Sequence, residues 1–225
     1  MSGWSRRGWG LLAVGTLAAM VLVCPPVRAA DIETRDFVVL VSGKVAGDVH
    51  MTIHRQDDGT IAMRCDTDIQ VNQIFGKYRF IYRGMEVWKD NRLLRFESST
   101  DDNGKRYIVS ASAEKEGIRL RVNNDERMAR SNVWLTTYWC LPDPKLRNGI
   151  VPLLDADNGR DVDSKLAYVA NEKMRVLGRE VTLNHYRLTG KVQIDLWYDG
   201  TDRLVRQEWV EQGHKTVLEL TRVRR

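Results

Sequence analysis

The residues best placed to do chemistry lie on one predicted strand, Lys77–Trp88. Alternate side chains of a strand share a face, and one face of this strand is aromatic with a single carboxylate, Glu86. That face carries Tyr78, Phe80, Tyr82, Gly84, Glu86 and Trp88. If it points inward, it would form the wall of an apolar pocket, and Glu86 would be the polar group that orients a ligand.

An alternative interpretation makes the same strand part of the core. A lone buried charge costs several kcal/mol, so an inward Glu86 would then need a partner such as an arginine. Gly84 adds a further alternative, because a β-bulge at that residue would move Glu86 and Trp88 to the opposite face. The residues alone leave these alternatives open.

Other site chemistries find little support in the sequence. His50 and His54 lie on a predicted strand, where four residues separate them by about 13 Å, too far to share a metal ion. No metalloprotease motif, paired-cysteine motif, nucleophile elbow or phosphate-binding glycine loop occurs in the chain. We therefore expect no metal and no cofactor. The sequence favours a non-enzymatic protein, with a hydrolase that uses Glu86 and a second carboxylate as the enzymatic alternative.

A tryptophan-bearing hairpin occurs twice, at Met85–Arg95 and at Ile194–Arg206. Each copy reads acidic residue, aliphatic residue, Trp, any residue, Asp, then a turn followed by Arg-Leu-aliphatic-Arg. Turn residues between β-type runs predict two related antiparallel hairpins. In the second copy Asp195 and Trp197 share a face, as Glu86 and Trp88 do in the first. A structural role is sufficient for such a pair, with the Trp packed at a strand end and the next Asp organising the turn.

Period-two alternation dominates from Asp36 to Asn124 and resumes at Lys165, which predicts strands with one solvated face. Two strands are predicted at Val45–Ile53 and Ile61–Val71. Further strands are predicted at Lys77–Trp88, Arg92–Ser99, Lys105–Ala113, Ile118–Asn123, Lys165–Asn171, Glu180–Thr189, Lys191–Asp199, Leu204–Glu211 and Lys215–Val223. The fold class is mainly β. A curved antiparallel meander of about ten strands would form a half-open barrel, with a sandwich as the alternative.

Residues 131–160 break this pattern and predict a short helix or an irregular segment. Ser131 or Asn132 could cap a helix from Val133 to Cys140, which would end before Pro142. The segment is apolar for a connection. We expect its Trp134, Tyr138 and Trp139 to cover the aromatic strand face.

The first 29 residues have the pattern of an export signal. Arg6 and Arg7 precede an apolar stretch from Leu11 to Val23, and Val27-Arg28-Ala29 offers a cleavage site. The twin arginines are also compatible with the twin-arginine route. We expect residues 1–29 to be removed, which leaves residues 30–225 as one β-rich domain without a membrane span. The protein would then be periplasmic or secreted.

Charge and cysteine content limit the partners. Without the three arginines of the signal, 32 basic residues face 30 acidic ones, so the alkaline isoelectric point gives little support to a nucleic-acid partner. Cys65 and Cys140 are the cysteines that remain. Two separate buried thiols and one disulfide are both open, because a sequence does not place the two Cα atoms.

Short motifs follow one another in order along the chain: Glu86-x-Trp88, Thr100-x-Asp102-Asn103-Gly104, Tyr138-Trp139, Leu153-Leu154-Asp155 with Gly159, Tyr186-x-Leu188-x-Gly190 and Leu196-Trp197-Tyr198-Asp199. From about Phe37 to Val223 they resemble an uncharacterised family of exported bacterial proteins, catalogued as a domain of unknown function. The resemblance implies no activity or catalytic residues. At the level of the fold, the arrangement is also similar to half-barrels of the lipoprotein-carrier type, in which a curved sheet encloses an apolar cavity.

These observations predict an exported, non-enzymatic binder of an apolar or amphipathic ligand, such as an acyl chain or an envelope lipid. A structural or protein-interaction domain with a filled core is the alternative, and a carboxylate hydrolase is the third. The predicted ligand-binding residues are Tyr78, Phe80, Tyr82, Glu86, Trp88, Trp134, Tyr138 and Trp139.

Overall fold

The computed structural model describes residues 31–73, 76–211 and 213–225. Within them, fifteen strands form one sheet. The strands are β1 (Asp31–Val41), β2 (Lys44–Arg55), β3 (Ile61–Gln73), β4 (Gly76–Lys89), β5 (Arg92–Asp102), β6 (Lys105–Ala113), β7 (Ile118–Val122), β8 (Asp125–Ala129), β9 (Trp134–Leu135), β10 (Ile150–Leu154), β11 (Asp161–Val176), β12 (Arg179–Gly190), β13 (Ile194–Tyr198), β14 (Leu204–Glu211) and β15 (His214–Arg224). The predicted signal, residues 1–29, lies outside the described residues. No described helix is long and apolar enough to cross a membrane.

The strands form a meander whose first and last strands pair with each other. β1 pairs with β15 in the middle of the sheet, β1 to β8 follow on one side, and β14 back to β9 follow on the other. The edge strands are therefore β8 and β9, which only residues 130–133 separate. Because so few residues span at most about 18 Å, the two edges must approach each other at that point.

Ion pairs and a hydrogen bond connect the two edges of the sheet. Arg127 of β8 pairs with Asp161 at the start of β11 and also donates to the carbonyl oxygen of Gly159. Arg130 pairs with Asp163 at 2.7 Å. The sheet is therefore curved into a half-open barrel, as the alternation predicted.

The strand count of about ten was too low. β1 was not named as a strand, although the alternating region was predicted to start within it, at Asp36. The other strands absent from the sequence-based prediction are β8, β9 and β10, which are only five, two and five residues long. β8 is mostly charged and β10 contains a proline, so neither has the alternation of a half-buried strand.

Of the two alternatives for residues 131–160, the irregular segment is confirmed and the helix from Val133 to Cys140 is wrong. Trp134 and Leu135 form β9, which pairs in parallel with Leu153 and Leu154 of β10. Tyr138 has a φ of 49°, a left-handed conformation that a right-handed helix does not accept. Extended pairing and this turn place the segment inside the barrel; the one helix of the described chain is a 3-10 turn at Pro144–Leu146.

The aromatic face of β4 points into the barrel. Its residues lie opposite the inward side chains of β3, with Trp88 against Ile61, Glu86 against Met63 and Tyr82 against Thr67. The pairing of β3 with β4 is continuous through Gly84, so no bulge reverses the face there. A Cβ at Gly84 would collide with the hydroxyl of Tyr82, and the glycine therefore leaves room for that ring.

Candidate functional site

Glu86 is fully buried, with 0% of its surface exposed, and it accepts three hydrogen bonds. The hydroxyl of Thr137 donates to Oε1 at 2.6 Å. The indole nitrogens of Trp88 and Trp139 donate to Oε2 at 2.7 and 2.9 Å. All three donors are neutral, so the arginine partner considered from the sequence is not found among the described residues.

This environment changes the protonation of Glu86. Burial raises the pKa of its carboxyl group to about 7, although the hydrogen bonds from Thr137, Trp88 and Trp139 oppose the change. With no accessible surface and its oxygens already occupied, the carboxylate is poorly placed to bind a ligand or to act as a general acid. Glu86 instead holds the irregular segment after β9 against β4.

The predicted site residues divide between two clefts. Glu86, Trp88, Trp134 and Trp139 line a cleft of about 550 Å³. A larger cleft of about 850 Å³, open on one side, is lined by Tyr78, Phe80, Tyr82 and Tyr138. Thr137 borders both clefts, so the eight residues are neighbours, but they do not surround one ligand.

The larger cleft has an apolar wall and a polar wall. The apolar wall comes from β1, β2, β3 and β15 and includes Val39, Val49, Met51, Ile69 and Leu218. The polar wall is the connection between β10 and β11, residues 155–160, together with the adjoining end of β5. One hydroxyl on each side holds that connection: Ser98 donates to the carbonyl of Ala156 at 2.7 Å, and Thr136 accepts from its backbone N–H at 2.9 Å.

Asp157 lies on the polar wall and differs from the neighbouring acids. Asp155 accepts from the side chain of Asn158, and Asp102 accepts from the hydroxyl of Tyr78 at 2.9 Å. No described donor reaches the side chain of Asp157. Burial in the barrel raises the pKa of its carboxyl group to about 8, and the nearby negative charge of Asp155 contributes to this rise.

Buried charged residues of β1 hold Trp139, which lines the smaller cleft. Arg35 and Glu33 are both buried on β1 and pair at 2.7 Å. Arg35 also donates to the carbonyl oxygen of Trp139 at 2.6 Å and lies over its ring, 5.9 Å from the centroid. The indole that binds Glu86 is therefore held at its backbone, its ring and its nitrogen.

The second hairpin builds a different cluster, on the face of β13 opposite Leu196 and Tyr198. His185 is 4% exposed and lies between two carboxylates, with Nδ1 at 2.8 Å from Glu172 and Nε2 at 2.7 Å from Asp195. Its ring stacks on Trp197 with centroids 4.4 Å apart. Trp197 donates to Glu172 at 2.9 Å, and Arg187 donates to Asp195 at 2.7 Å.

Sequence reasoning missed several of these residues. Thr137 and Asp157 lie in irregular backbone, where no periodicity predicts the direction of a side chain. Arg35 and His185 lie on strands, and alternation would have placed each on a definite face. A charged residue on the apolar face of β1 was a signal that could have been used.

Metal chemistry finds no support in the geometry either. Among the described residues, no group of three or more His, Cys, Asp and Glu side chains is arranged to hold a metal ion. Cys65 and Cys140 are both free thiols. Of the two alternatives left open by the sequence, the structure therefore has separate thiols.

Comparison with known proteins places the chain in a family. Residues 37–221 match the family model described as Domain of unknown function (DUF6134). The chain belongs to this family. The match agrees with the resemblance inferred from the motifs between Phe37 and Val223. A comparison with curated proteins finds no match.

A solved structure supports the fold of this DUF6134 member. The structure is titled "Crystal Structure of Beta-barrel-like Protein of Domain of Unknown Function DUF1849 from Brucella abortus" and superposes with a TM-score of 0.59. It is 10% identical in sequence, and the alignment covers 86% of this chain and 96% of that one. Identity this low supports the barrel-like fold alone.

Proposed function

We propose that this protein is an exported binding protein that holds an apolar or amphipathic ligand in its larger cleft. The observation that carries the proposal is the cleft of about 850 Å³ between an apolar wall and a polar one. Clefts of several hundred Å³ with mostly apolar walls and a few polar groups are typical of small-molecule sites. An acyl chain along β1, β2 and β3 with its head group at residues 155–160 would match both walls.

Export is the second part of the proposal. Residues 1–29 combine a basic start, an apolar stretch of signal length and, at the cleavage position, the aliphatic Val27 and the small Ala29. The motif-based resemblance to exported bacterial proteins supports the same location. The ligand would then come from the periplasm, the cell envelope or the medium.

The other two functions gain less support from the geometry. A structural domain with a filled core would not need an open cleft of this size among its described residues. A hydrolase that uses Glu86 would need its carboxylate to reach a substrate, yet that carboxylate is buried beneath Trp88 and Trp139. Binding in the larger cleft is compatible with both the open cleft and the buried carboxylate.

A matched pair of tryptophan variants tests the site. Ile69 lines the larger cleft, whereas Ile108 is 64% exposed on a neighbouring part of the sheet. We expect purified wild-type protein to bind tetradecanol in calorimetric titrations. Ile69→Trp should obstruct part of the apolar wall and weaken binding by about tenfold or more, an effect of about 1.4 kcal/mol. Ile108→Trp should bind as the wild type does. Wild-type protein that binds neither tetradecanol nor phospholipid, or equal affinity in both variants, would count against the proposal.

A further inference from the structure

The larger cleft contains one carboxylate that has no partner of its own. Asp155 and Asp102 both accept hydrogen bonds within the wall. The backbone N–H of Asp157 donates to Asp155, but its own side chain receives no hydrogen bond from a described residue. Asp157 can therefore take a ligand donor without breaking an existing contact.

Two buried hydroxyls near this carboxylate are also without partners. Tyr82 is 3% and Thr100 is 2% exposed, and neither hydroxyl oxygen has a hydrogen-bond partner among the described residues. The two residues lie opposite each other on β4 and β5 and both line the larger cleft. An unpaired buried hydroxyl costs about 1–3 kcal/mol, so a polar ligand group that reached one of them would recover part of that cost.

The basic residues around the cleft are exposed or already engaged. Arg160 is exposed and contacts Asp155 at 3.4 Å and Asn158 at 3.1 Å. Lys105 is exposed and lies over the ring of Tyr107, 5.2 Å from its centroid. The other basic residues of the lining, Lys191 and His214, are exposed as well. Asp157 therefore has no basic partner among the described residues, and its carboxyl group carries an uncompensated negative charge when it is ionised.

We propose that the larger cleft selects amphipathic amines, with a ligand ammonium group against Asp157 and an alkyl chain along the apolar wall. The inference rests on the proposed binding function and deepens it. A carboxylate head group in the same position would meet the negative charge of Asp157, and like charges at short range cost several kcal/mol in a shielded site. An alcohol head group would meet neither the attraction nor the repulsion.

Three probes with the same alkyl chain test this selectivity: tetradecylamine, tetradecanol and tetradecanoic acid. Each is titrated calorimetrically into wild-type protein at about pH 9, where the carboxyl group of Asp157 is ionised and the amine is still cationic, and below the concentration at which the probe forms micelles. We expect the amine to bind about tenfold more tightly than the alcohol, and the acid to bind most weakly. Added salt should weaken binding of the amine and leave binding of the alcohol almost unchanged.

Asp157→Asn is the decisive variant, because asparagine has nearly the same shape and the replaced carboxylate makes no hydrogen bond. Its affinity for tetradecylamine should fall by about tenfold, to that for tetradecanol, while its affinity for tetradecanol stays at the wild-type value. Glu211→Gln is the matched control, since it removes an exposed carboxylate from the rim of the same cleft. The control should keep the preference for the amine.

The outcomes separate the two proposals. If the wild type binds none of the three probes, the binding function itself fails. If the wild type binds the alcohol or the acid at least as tightly as the amine, the binding function stands and the amine selectivity is wrong. Equal loss of affinity for all three probes in Asp157→Asn would also overturn the selectivity, since it would indicate damage to the cleft. Should the variant not fold, the order of the three wild-type affinities still decides.

Discussion

The two copies of the tryptophan hairpin use the same residue types in opposite electrostatic settings. In the first, Glu86 is buried and held by neutral donors from Trp88, Trp139 and Thr137. In the second, Asp195 is partly exposed and is held by the imidazole of His185 and the guanidinium of Arg187. The similar sequences therefore specify similar hairpins, whereas the neighbouring strands and loops determine whether the acid is a buried hub or part of a surface ion-pair network.

The tryptophans differ in the same way. Trp88 donates to the acid of its own motif, two residues earlier. Trp197 does not donate to Asp195 of its own motif but to Glu172 of β11. The second cluster contains a cationic guanidinium, that of Arg187, which donates to its acid at 2.7 Å. Among the described residues, no cationic side chain donates to Glu86.

The two hairpins should differ most in the free energy of unfolding that is lost when the acid of each motif is removed. Glu86→Ala leaves two indole N–H groups and a hydroxyl without an acceptor in a dry site and creates a small cavity, so we expect a loss of about 4 kcal/mol in the free energy of unfolding. Asp195→Ala leaves His185 paired with Glu172 and should cost about 1–2 kcal/mol. Urea unfolding at neutral pH measures both. Equal losses would mean that the two settings are energetically alike.

The next difference is in pH dependence. The pKa of Glu86 is raised to about 7 from 4.5, so its stabilising contribution is complete below about pH 4.5 and falls as the pH rises toward 7. Glutamine can keep all three hydrogen bonds if the hydroxyl of Thr137 accepts instead of donating. We therefore expect Glu86→Gln to be close to wild type at pH 5 and more stable at pH 8, by about 3 kcal/mol.

Unfolding curves of both proteins from pH 4 to 9 provide that measurement. The wild type should lose stability relative to Glu86→Gln across the window between about pH 4.5 and 7, with no further change above it. A constant difference over the whole range would show that Glu86 does not change its protonation on unfolding.

The smallest expected effect is that of Asp195 on stability at acidic pH, where its contribution falls as the pH falls. Burial alone would raise the pKa of Asp195, but the hydrogen bonds and charges of Arg187 and His185 lower it below 3.8. Its contribution is therefore present above about pH 4 and is lost as the pH falls further. Asp195→Asn should flatten the acid limb of the stability curve by about 1 kcal/mol, because partly exposed charges are screened.

Glu86→Gln serves as the control for this loss of stability in acid. Well below pH 4.5, Glu86 is protonated in both the folded and the unfolded states, so its replacement should not change the acid limb. An acid limb that is equally steep in wild type and Asp195→Asn would contradict the ion-pair account of the second hairpin.

Regular elements were predictable where alternation was long. The bounds of Lys105–Ala113 and Leu204–Glu211 agree with β6 and β14, and the inward face of β4 was correctly grouped. Alternation works there because a strand with one solvated face allows only one arrangement of its side chains. The curved meander and the family follow from the same local patterns and motif order.

The site depended on contacts between residues far apart in the chain. Thr137 and Trp139 reach Glu86 because the segment after β9 turns at Tyr138, where a left-handed φ is held by packing against Trp134 and by a hydrogen bond from Tyr198. The segment's composition suggested a helix, and tertiary packing overrode that local preference.

The sequence alone determined that this chain forms an antiparallel sheet, which side chains of its longer strands share a face, and that two related hairpins occur. Those properties follow from local periodicity and turn chemistry. Only the tertiary structure decided that Glu86 would bind indoles while Asp195 binds His185 and Arg187, and that the predicted site would divide into two clefts. Burial and partner choice depend on which distant segments fill the barrel, and no spacing within one strand encodes that information.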